Sequence, residues 1–500
     1  MTVTLPELES RLWAAANSLR GPVEHADFKA YVFPVLFFKR ISDTWDYEHR
    51  RALIDFGNDE TLALHPDNYR FQVPDECHWR DIRRKHKNVG VHLQTALDLI
   101  QQANPTTLGG IFGDVAWGNT DRLPEHALNN LLKSFDEINL DPGSVSGDML
   151  GAAYEYLLRE FAEASGKKAG EFFTPPPIVQ LLTHLLDPQP GESIYDPACG
   201  SAGILVEAVN EVRDAGGDTR TLRLYGQEVN LTTAAIARMN LYIHDIEDFD
   251  IKRGDTLRTP KFHDSRNQLA RFDVVIANPP FSLKNWGGEA WQNDPWKRSS
   301  WGTPPKGNGD YAWIQHMVSS MHPKKGRVGV VMPHGALFRA AESEIRAGLI
   351  NENLLEAVIG LPQNLFYSTS IPACIMIFRA VNSRIRENRK EEGILFIDGS
   401  QRYVRGRTRN TMDASDLKAI IDSYRSGEDA LDGSVTTYWA PRAEIKKNGW
   451  DLNLGRYLKS AVVESVDVHS ALKHFRQAQD SLREAESRFD ARLKAAGYEQ

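Results

Sequence analysis

A tetrad after a buried apolar run offers the most specific chemistry in the sequence. Asn278-Pro279-Pro280-Phe281 follows FDVVIA, which predicts a strand with the tetrad at its carboxyl end. The nitrogen of an adenine amine is a poor nucleophile, because its lone pair is delocalised into the ring. The Asn278 amide oxygen and the Pro279 carbonyl can each accept one N–H, which favours a pyramidal nitrogen with its lone pair aimed at a methyl donor. The prolines hold that carbonyl rigidly, and Phe281 offers an apolar face for a base taken out of a duplex.

An asparagine cannot act as a general base. The proton is therefore expected to leave only after methylation has made the nitrogen cationic and acidic. The remaining contribution to the rate is then alignment for in-line displacement. The alternative for Asn-Pro-Pro is a simple turn after a buried strand.

Carboxylates at three successive strand ends argue against that turn. Asp196 opens the loop DPACGSAG, whose glycines let the backbone approach a ligand, and whose spacing suits a cofactor with a carboxylate and no pyrophosphate. Glu228 ends LRLYGQE, where it can accept hydrogen bonds from both ribose hydroxyls. Asp255 follows DFDIKRG and is placed to accept from the exocyclic amine of an adenine. Each acid alone is typical of a helix cap; together they indicate a site.

These residues need a sheet to bring them to one edge. From about Gly170, short β-branched runs alternate with helical patterns, which predicts βαβ units and an α/β fold. The predicted strands are ESIYDPA, LRLYGQE, DFDIKRGD, FDVVIANPP, GRVGVVMP, LEAVIGLP and ACIMIFRA. They predict a Rossmann-like, doubly wound, mostly parallel sheet with ligands at the carboxyl ends of its strands. The segment 282–309, with four tryptophans five residues apart, predicts a functional or mobile loop.

Helical patterns flank the predicted sheet on both sides. They divide the chain into an N-terminal helical domain over 1–165, a catalytic domain over 166–450 and a C-terminal helical tail over 451–500. Pro34 is expected to interrupt a helix of the first domain. Small and large apolar residues alternate along one face of the tail, four and three positions apart, and we call this face the seam. The seam can pack on its own domain or dock on a helix of a partner, and the sequence leaves both alternatives open. The seam consists of Ala471, Phe475, Ala478, Leu482, Ala485 and Phe489.

Composition bounds the remaining possibilities. A net charge of −8 argues against a chain that coats nucleic acid unaided. Basic segments at 80–87 and 379–409 could each face a phosphate backbone or form a solvated surface. The three scattered cysteines suggest neither disulfides nor zinc, so no metal is expected. No membrane-length apolar run or signal peptide is seen, and a cytoplasmic protein is expected.

With these motifs, the sequence closely resembles the amino-group methyltransferases of DNA, and in particular the modification subunits of type I restriction-modification systems. The loop DPACGSAG and the tetrad NPPF resemble their cofactor and catalytic motifs, and Gly170–Pro175 resembles the segment that closes over the methionine part of the cofactor. LFFKRISD, NLFYSTSIPACIMIF and DLNLGRYL extend the resemblance over nearly the whole chain.

The resemblance implies an S-adenosylmethionine-dependent adenine-N6 methyltransferase acting on double-stranded DNA, with Asn278 to Phe281 catalytic. The implied cofactor-binding residues are Glu171, Phe172, Phe173, Thr174, Pro175, Pro176, Gly200, Ser201, Ala202, Gly203 and Glu228, together with Asp196 and Asp255. No large domain after the sheet could read several base pairs. The resemblance implies that a separate specificity subunit does so, flanked by two modification subunits, and that a motor-nuclease restriction subunit can join.

Two other functions compete with this interpretation. Asn-Pro-Pro followed by an aromatic residue also occurs in methyltransferases that act on protein glutamine or RNA guanine amines, which are generally shorter. The long helical domain, the Phe-Phe-Thr-Pro segment and the heptad tail favour DNA. A non-catalytic assembly subunit could keep the same fold, but intact Asn278, Glu228 and the glycine loop speak against it.

Overall fold

A computed structural model describes residues 3–165, 173–367, 371–380, 393–458 and 468–495. The chain divides into two units, Met1–Leu454 and Gly455–Gln500. Within the described residues, no helix combines the length and apolarity needed to cross a membrane. The predicted cofactor residues Glu171 and Phe172 lie outside the described residues.

The N-terminal region is helical, as predicted. Its helices are α1 (Leu5–Asn17), α2 (Phe28–Asp55), α3 (Glu60–Ala63), α4 (Trp79–Arg83), α5 (Val89–Ala103), α6 (Glu125–Asp136) and α7 (Gly147–Ser165). The expected interruption at Pro34 is wrong, because α2 continues through it. Pro34 cannot donate one helical hydrogen bond, but its neighbours Val32, Phe33 and Leu36 are fully buried, and their burial outweighs that loss.

The sheet has nine strands, of which the sequence predicted seven. They are β1 (Ser193–Asp196), β2 (Arg223–Glu228), β3 (Phe249–Arg253), β4 (Val274–Ala277), β5 (Arg327–Pro333), β6 (Leu355–Gly360), β7 (Ala373–Arg379), β8 (Gly393–Asp398) and β9 (Thr436–Pro441). Their order is β3-β2-β1-β4-β5-β7-β6-β8-β9. The strands from β3 to β5 are mutually parallel, whereas β7 and β9 run antiparallel to their neighbours. The mostly parallel α/β fold is therefore confirmed.

The next helices along the chain precede, connect or follow these strands. They are α8 (Pro176–Leu186), α9 (Gly203–Asp214), α10 (Leu231–Ile243), α11 (Gly288–Trp291), α12 (Asp310–Ser319), α13 (Gly335–Phe338), α14 (Ser343–Asn351), α15 (Ala414–Ser426), α16 (Arg442–Lys447) and α17 (Leu454–Tyr457). The chain leaves β1 toward β2 on one side and returns to β4 on the other. The carboxyl ends of β1 and β4 thus form a topological switch point, where a doubly wound sheet binds its ligands.

The N-terminal helices pack directly on the sheet region. Ile236, Met239 and Tyr242 of α10 belong to the same buried apolar cluster as α2 and α7. The Tyr154 hydroxyl of α7 donates a hydrogen bond to the Ile236 carbonyl at 3.0 Å. The helical region therefore supports α10, which follows the strand end that holds Glu228.

The tryptophan-rich segment 282–309 is anchored rather than extended into solvent. Trp286 and Trp291 are buried and meet edge to face at 5.0 Å. The indole nitrogen of Trp286 donates to the Pro305 carbonyl at 2.9 Å, and that of Trp291 donates to the Leu257 carbonyl at 3.0 Å. The first bond closes the segment on itself, and the second fixes it beside the loop that follows β3.

The second unit contains α18 (Val468–Ala495), the predicted C-terminal helix. Two seam residues, Leu482 and Phe489, are exposed at 58% and 63%. The side chains of Ala471, Phe475 and Ala478 lie outside the described residues. Docking of the seam on a partner stays a prediction.

Candidate active site

A cleft lies at the carboxyl ends of β1 to β4. Its larger part is a cavity of about 640 Å³, lined by Asp27, Lys29, Pro197, Ala198, Gln227, Glu228, Val229, Asn230, Thr233, Gly254, Asp255, Thr256, Asn278, Pro280, Leu283, Lys284, Asn285, Trp286 and Trp313. A narrower part is lined by Phe173, Thr174, Val179, Asp196, Ala198, Cys199, Gly200, Ser201, Gly203, Ile204 and Asn278. Asn278 and Ala198 line both parts, so the two parts meet at the predicted catalytic amide.

Asn278 presents an unused acceptor at this junction. It follows β4, whose four residues are all buried. Its side-chain Nδ2 donates to the Thr174 hydroxyl at 3.0 Å, which fixes the orientation of the amide. Its Oδ1 is buried and has no hydrogen-bond partner among the described residues. A buried acceptor without a donor costs free energy unless a ligand supplies one.

The chain after the tetrad is held by a buried ion pair. The Ser282 backbone N–H donates to Asp310 Oδ1 at 2.7 Å, and the Arg339 guanidinium bonds the other carboxylate oxygen. Asp310 is fully buried at the start of α12. The ring of Phe281 contacts the ring of Phe366 edge to face at 5.8 Å. The sequence analysis missed Asp310 and Arg339, since their role depends on a contact across the fold.

Asp196 is the most perturbed acid of the cleft. Its Oδ1 accepts from the Ala198 backbone N–H at 2.9 Å, whereas its Oδ2 is buried without a partner among the described residues. Burial raises the pKa of the Asp196 carboxyl to about 8, and the charge of Glu228 contributes in the same direction. A cationic ligand group beside Oδ2 would favour the ionised form.

Glu228 ties the glycine loop to the end of β2. Its Oε2 accepts from the Gly200 backbone N–H at 3.2 Å, and its Oε1 accepts from the Asn230 N–H at 2.8 Å. Burial raises the pKa of this carboxyl above its ordinary value. Each oxygen keeps a further lone pair, so both can still accept from a diol.

Asp255 is placed differently from the other two acids. It lines the cleft, but its Oδ1 accepts from the backbone N–H groups of Leu257 and Arg258 at 3.0 and 3.1 Å. Its Oδ2 lies 3.4 Å from the Arg258 guanidinium. Asp255 thus caps its own turn, and its remaining acceptor capacity faces the cavity.

The glycine loop is shaped for close approach of a ligand. Gly200 and Ala202 adopt left-handed backbone conformations, with φ of 52° and 64°. A Cβ built on Gly203, at the start of α9, would meet open space. The side chain of Asn240 donates to the Ser201 carbonyl at 2.9 Å, which fixes the loop from α10. This leaves the first turn of α9 open to the cleft.

The structure brings most of the predicted site residues to the cleft. They are Phe173, Thr174, Asp196, Gly200, Ser201, Gly203, Glu228, Asp255, Asn278 and Pro280. The others lie beside it: Pro175 and Pro176 line a neighbouring cavity of about 300 Å³, and Ala202 and Pro279 are buried. Phe281 packs against Phe366 and is partly exposed.

The sequence analysis missed several cleft residues, among them Val229, Trp313, Asp27 and Lys29. Val229 is 61% exposed next to Glu228. The indole nitrogen of Trp313 in α12 is buried and has no hydrogen-bond partner in the described part of the chain. An exposed apolar residue directly after a strand-end carboxylate is a local signal that could have identified Val229. Asp27 and Lys29 come from the start of α2, and nothing in their local sequence indicates this position.

Comparison with known proteins identifies the family of this chain. The model of the N-6 DNA methylase family matches residues 145–465, and the HsdM N-terminal domain model matches residues 8–135. The HindI type I restriction enzyme methylase subunit of Haemophilus influenzae is 33% identical over 405 residues, covering 78% of this chain and 87% of that protein. The chain belongs to the type I methylase subunits of the N-6 DNA methylase family.

Other type I methylase subunits extend the likeness to most of the chain. The MjaVII methylase subunit of Methanocaldococcus jannaschii is 32% identical and covers 90% of this chain and 78% of its own. The crystal structure of the type I methyltransferase subunit from Streptococcus thermophilus superposes with a TM-score of 0.77 at 28% identity, covering 91% of this chain and 100% of that one. This N-6 DNA methylase is therefore an enzyme of the DNA methyltransferase class, and the predicted family is confirmed.

Proposed function

We propose that this chain transfers a methyl group from S-adenosylmethionine to the N6 amine of an adenine in double-stranded DNA, with Asn278 as the residue that orients the amine. The observation that supports this most directly is the buried, unpartnered Oδ1 of Asn278 in the cleft. An exocyclic amine supplies the N–H donor that this oxygen lacks.

The cleft has the features that S-adenosylmethionine requires. Glu228 can accept from its ribose hydroxyls, and Val229 with Trp313 offers apolar surface for its adenine ring. The unpartnered Oδ2 of Asp196 suits the ammonium of its methionine part, and the open first turn of α9 suits a carboxylate. When bound, the cofactor supplies an electrophilic methyl group on a sulfonium.

The residues of the tetrad then act on the target amine. Asn278 Oδ1 and the Pro279 carbonyl accept the two N–H groups, and this removes the lone pair from conjugation with the ring. Thr174 keeps the amide oriented, because it accepts from Nδ2. Phe281 is partly exposed and gives the extruded base a face to stack on. These residues take no proton in the transfer itself, so their contribution is alignment.

A direct assay tests this proposal. The purified full chain, with the subunits that co-purify with it, is incubated with methyl-tritiated S-adenosylmethionine and duplex DNA. The expected product is N6-methyladenine, identified by mass spectrometry of the nucleosides. Label in protein glutamine or in RNA, with none in DNA, would contradict the proposal.

The position of this chain within a complex belongs to the same proposal. The relatives are named as methylase subunits of type I restriction enzymes. We expect a specificity subunit that selects the DNA sequence, with two copies of this chain flanking it, and a restriction subunit that can join. The seam of α18 is the expected contact, because Leu482 and Phe489 are large apolar side chains that remain exposed.

Changing Phe475 and Leu482 together to Ser tests that contact. Each large side chain contributes roughly 1.5–3 kcal/mol when buried, so the complex should dissociate while cofactor binding survives. Size-exclusion chromatography with multi-angle scattering on the co-expressed subunits gives the result. An exposed polar pair of α18, Arg483 and Glu486, changed to Ser serves as the control. A full complex from the Phe475 and Leu482 variant would show that the seam does not make the contact.

A further inference from the structure

A basic hairpin emerges from the catalytic edge of the sheet. Residues 402–411 contain four arginines and no acid. Reciprocal backbone bonds between Val404 and Thr411, at 2.8 and 3.0 Å, close the hairpin. A Cβ on Gly406 would lie 1.9 Å from the Arg409 carbonyl, so the turn requires glycine. We call residues 402–411 the arginine hairpin.

The four arginines divide into two pairs with different roles. Arg402 pairs with Asp432 and Asp416, and Arg409 pairs with Glu163 and lies 3.7 Å from the centre of the Tyr367 ring. These contacts anchor the base of the hairpin. Arg405 and Arg407 are exposed at its tip, and no carboxylate among the described residues pairs with either.

Strand directions place the arginine hairpin on the same edge as Asn278. β4 is parallel to β5, β5 and β6 are both antiparallel to β7, and β6 is parallel to β8. β8 therefore runs in the direction of β4, and the chain that follows each strand leaves the same edge. The hairpin begins a few residues after β8, as the catalytic tetrad begins directly after β4.

A short path of contacts connects the arginine hairpin to the tetrad. The Asn410 backbone N–H donates to the Asn364 carbonyl at 2.9 Å. Two residues later, Phe366 contacts the ring of Phe281. The base of the hairpin is thus positioned by the same segment that packs against the proposed stacking residue.

We propose that the arginine hairpin binds the phosphate backbone of duplex DNA beside the extruded adenine, through Arg405 and Arg407. Two exposed guanidiniums without acidic partners match a phosphodiester backbone, and anchoring at the base lowers the entropic cost of contact. In the first basic segment, 80–87, the three arginines instead pair with Asp46, Asp136 and Asp81. The proposal rests on the proposed function for the identity of the substrate.

Salt-dependent binding tests the hairpin. Fluorescence anisotropy with a labelled 30-base-pair duplex measures binding by the full chain, purified with the subunits that co-purify with it. The Arg405→Gln, Arg407→Gln double variant is prepared and measured in the same way. Losing two phosphate contacts should lower the slope of log Kd against log salt by about 1.8 and raise Kd about tenfold or more. The matched control is Arg220→Gln with Arg223→Gln, which removes equal charge at the opposite end of β2 and should leave the slope unchanged.

A parallel assay of methyl transfer shows whether the DNA-binding role of the hairpin or the proposed function has failed. An unchanged salt slope in a variant of a methylating chain would overturn the hairpin assignment, as would a wild-type chain that methylates DNA without salt-dependent binding. A variant that loses its partner subunits but keeps duplex binding would make the hairpin a protein contact and also overturn the assignment. If the wild-type chain does not methylate, the proposed function fails, and duplex binding alone still decides the hairpin.

Discussion

The two sides of the cleft differ in charge chemistry, because one carries ionisable acids and the other a neutral amide. On the side of β1 and β2, Asp196 and Glu228 are buried acids whose pKa values are raised by burial, and each already accepts backbone hydrogen bonds. On the side of β4, Asn278 is neutral at every relevant pH, and its oxygen is free of partners among the described residues.

The difference separates binding from chemistry. A charged, ionisable wall can hold polar groups of a cofactor, but its strength varies with pH. A neutral amide orients an amine without competing for its proton. Under the proposed function, the acids bind the cofactor and the neutral amide orients the amine. Each of the following experiments tests one side against the other.

The largest effect is expected on the amide side. Asn278→Ala should abolish methyl transfer while leaving the affinity for S-adenosylmethionine nearly unchanged, because the amine loses its acceptor and the carboxylate wall stays intact. Tritium transfer and calorimetric titration measure the two quantities. A variant that keeps more than about a tenth of the rate, an effect under ~1.4 kcal/mol, would show that the amide does not orient the amine.

The next effect lies on the carboxylate side. Glu228→Ala should weaken the binding of S-adenosylmethionine by about 1.5–3 kcal/mol for each charged hydrogen bond that is lost. For one bond this raises Kd roughly ten- to a hundredfold. Glu228→Gln is the control, since glutamine keeps the size of the side chain and one acceptor oxygen. Its Kd for S-adenosylmethionine should fall between those of the wild-type chain and Glu228→Ala. An unchanged Kd for Glu228→Ala would remove this residue from the cofactor site.

A smaller effect is expected where the two sides meet. Thr174→Val removes the acceptor for Asn278 Nδ2 and should lower kcat about fivefold, since one hydrogen bond contributes about 1 kcal/mol. Thr174→Ser keeps the hydroxyl and should restore kcat. If Thr174→Val and Thr174→Ser reduce kcat equally, the hydroxyl does not position the amide, and only the shape of the threonine side chain matters.

The smallest effect is expected in the number of protons released when the cofactor binds. Because the pKa of Asp196 is about 8, the free carboxyl is mostly protonated at pH 7. A cation bound beside Oδ2 favours the ionised form, so this carboxyl should release close to one proton on cofactor binding at pH 7 and almost none at pH 9. The cofactor amine is largely neutral at pH 9 and has to take up a proton on binding there, so the net release should fall from pH 7 to pH 9. Calorimetry in buffers of different ionisation enthalpy measures the release.

Matched variants locate that proton. Asn278→Ala should still release it, whereas Asp196→Asn should not. Equal release from Asp196→Asn and from the wild-type chain would assign the proton to another group and remove the cation from beside Asp196.

Short-range sequence patterns predicted much of the fold and the site. Strands such as Val274–Ala277 are continuous apolar runs bounded by turn residues, as buried parallel strands are. The tetrad and the glycine loop are also local, since proline, glycine and strand-end acids act on their own neighbours. Strands β8 and β9 escaped prediction. β8 directly follows a charged stretch, and β9 is a partly exposed edge strand without clean alternation.

What only the tertiary structure decided is which local features meet. Thr174 reaches Asn278 across 104 positions, Asp310 holds Ser282 across 28, and Lys29 enters the cleft from the first helices. The sequence by itself determined that strand-end acids and an orienting amide exist and share an edge. It could not show that Asp196 is buried with an oxygen that no described residue contacts by a hydrogen bond, whereas Asp255 caps its own turn. Burial depends on every element packed around a residue, and the pKa follows burial.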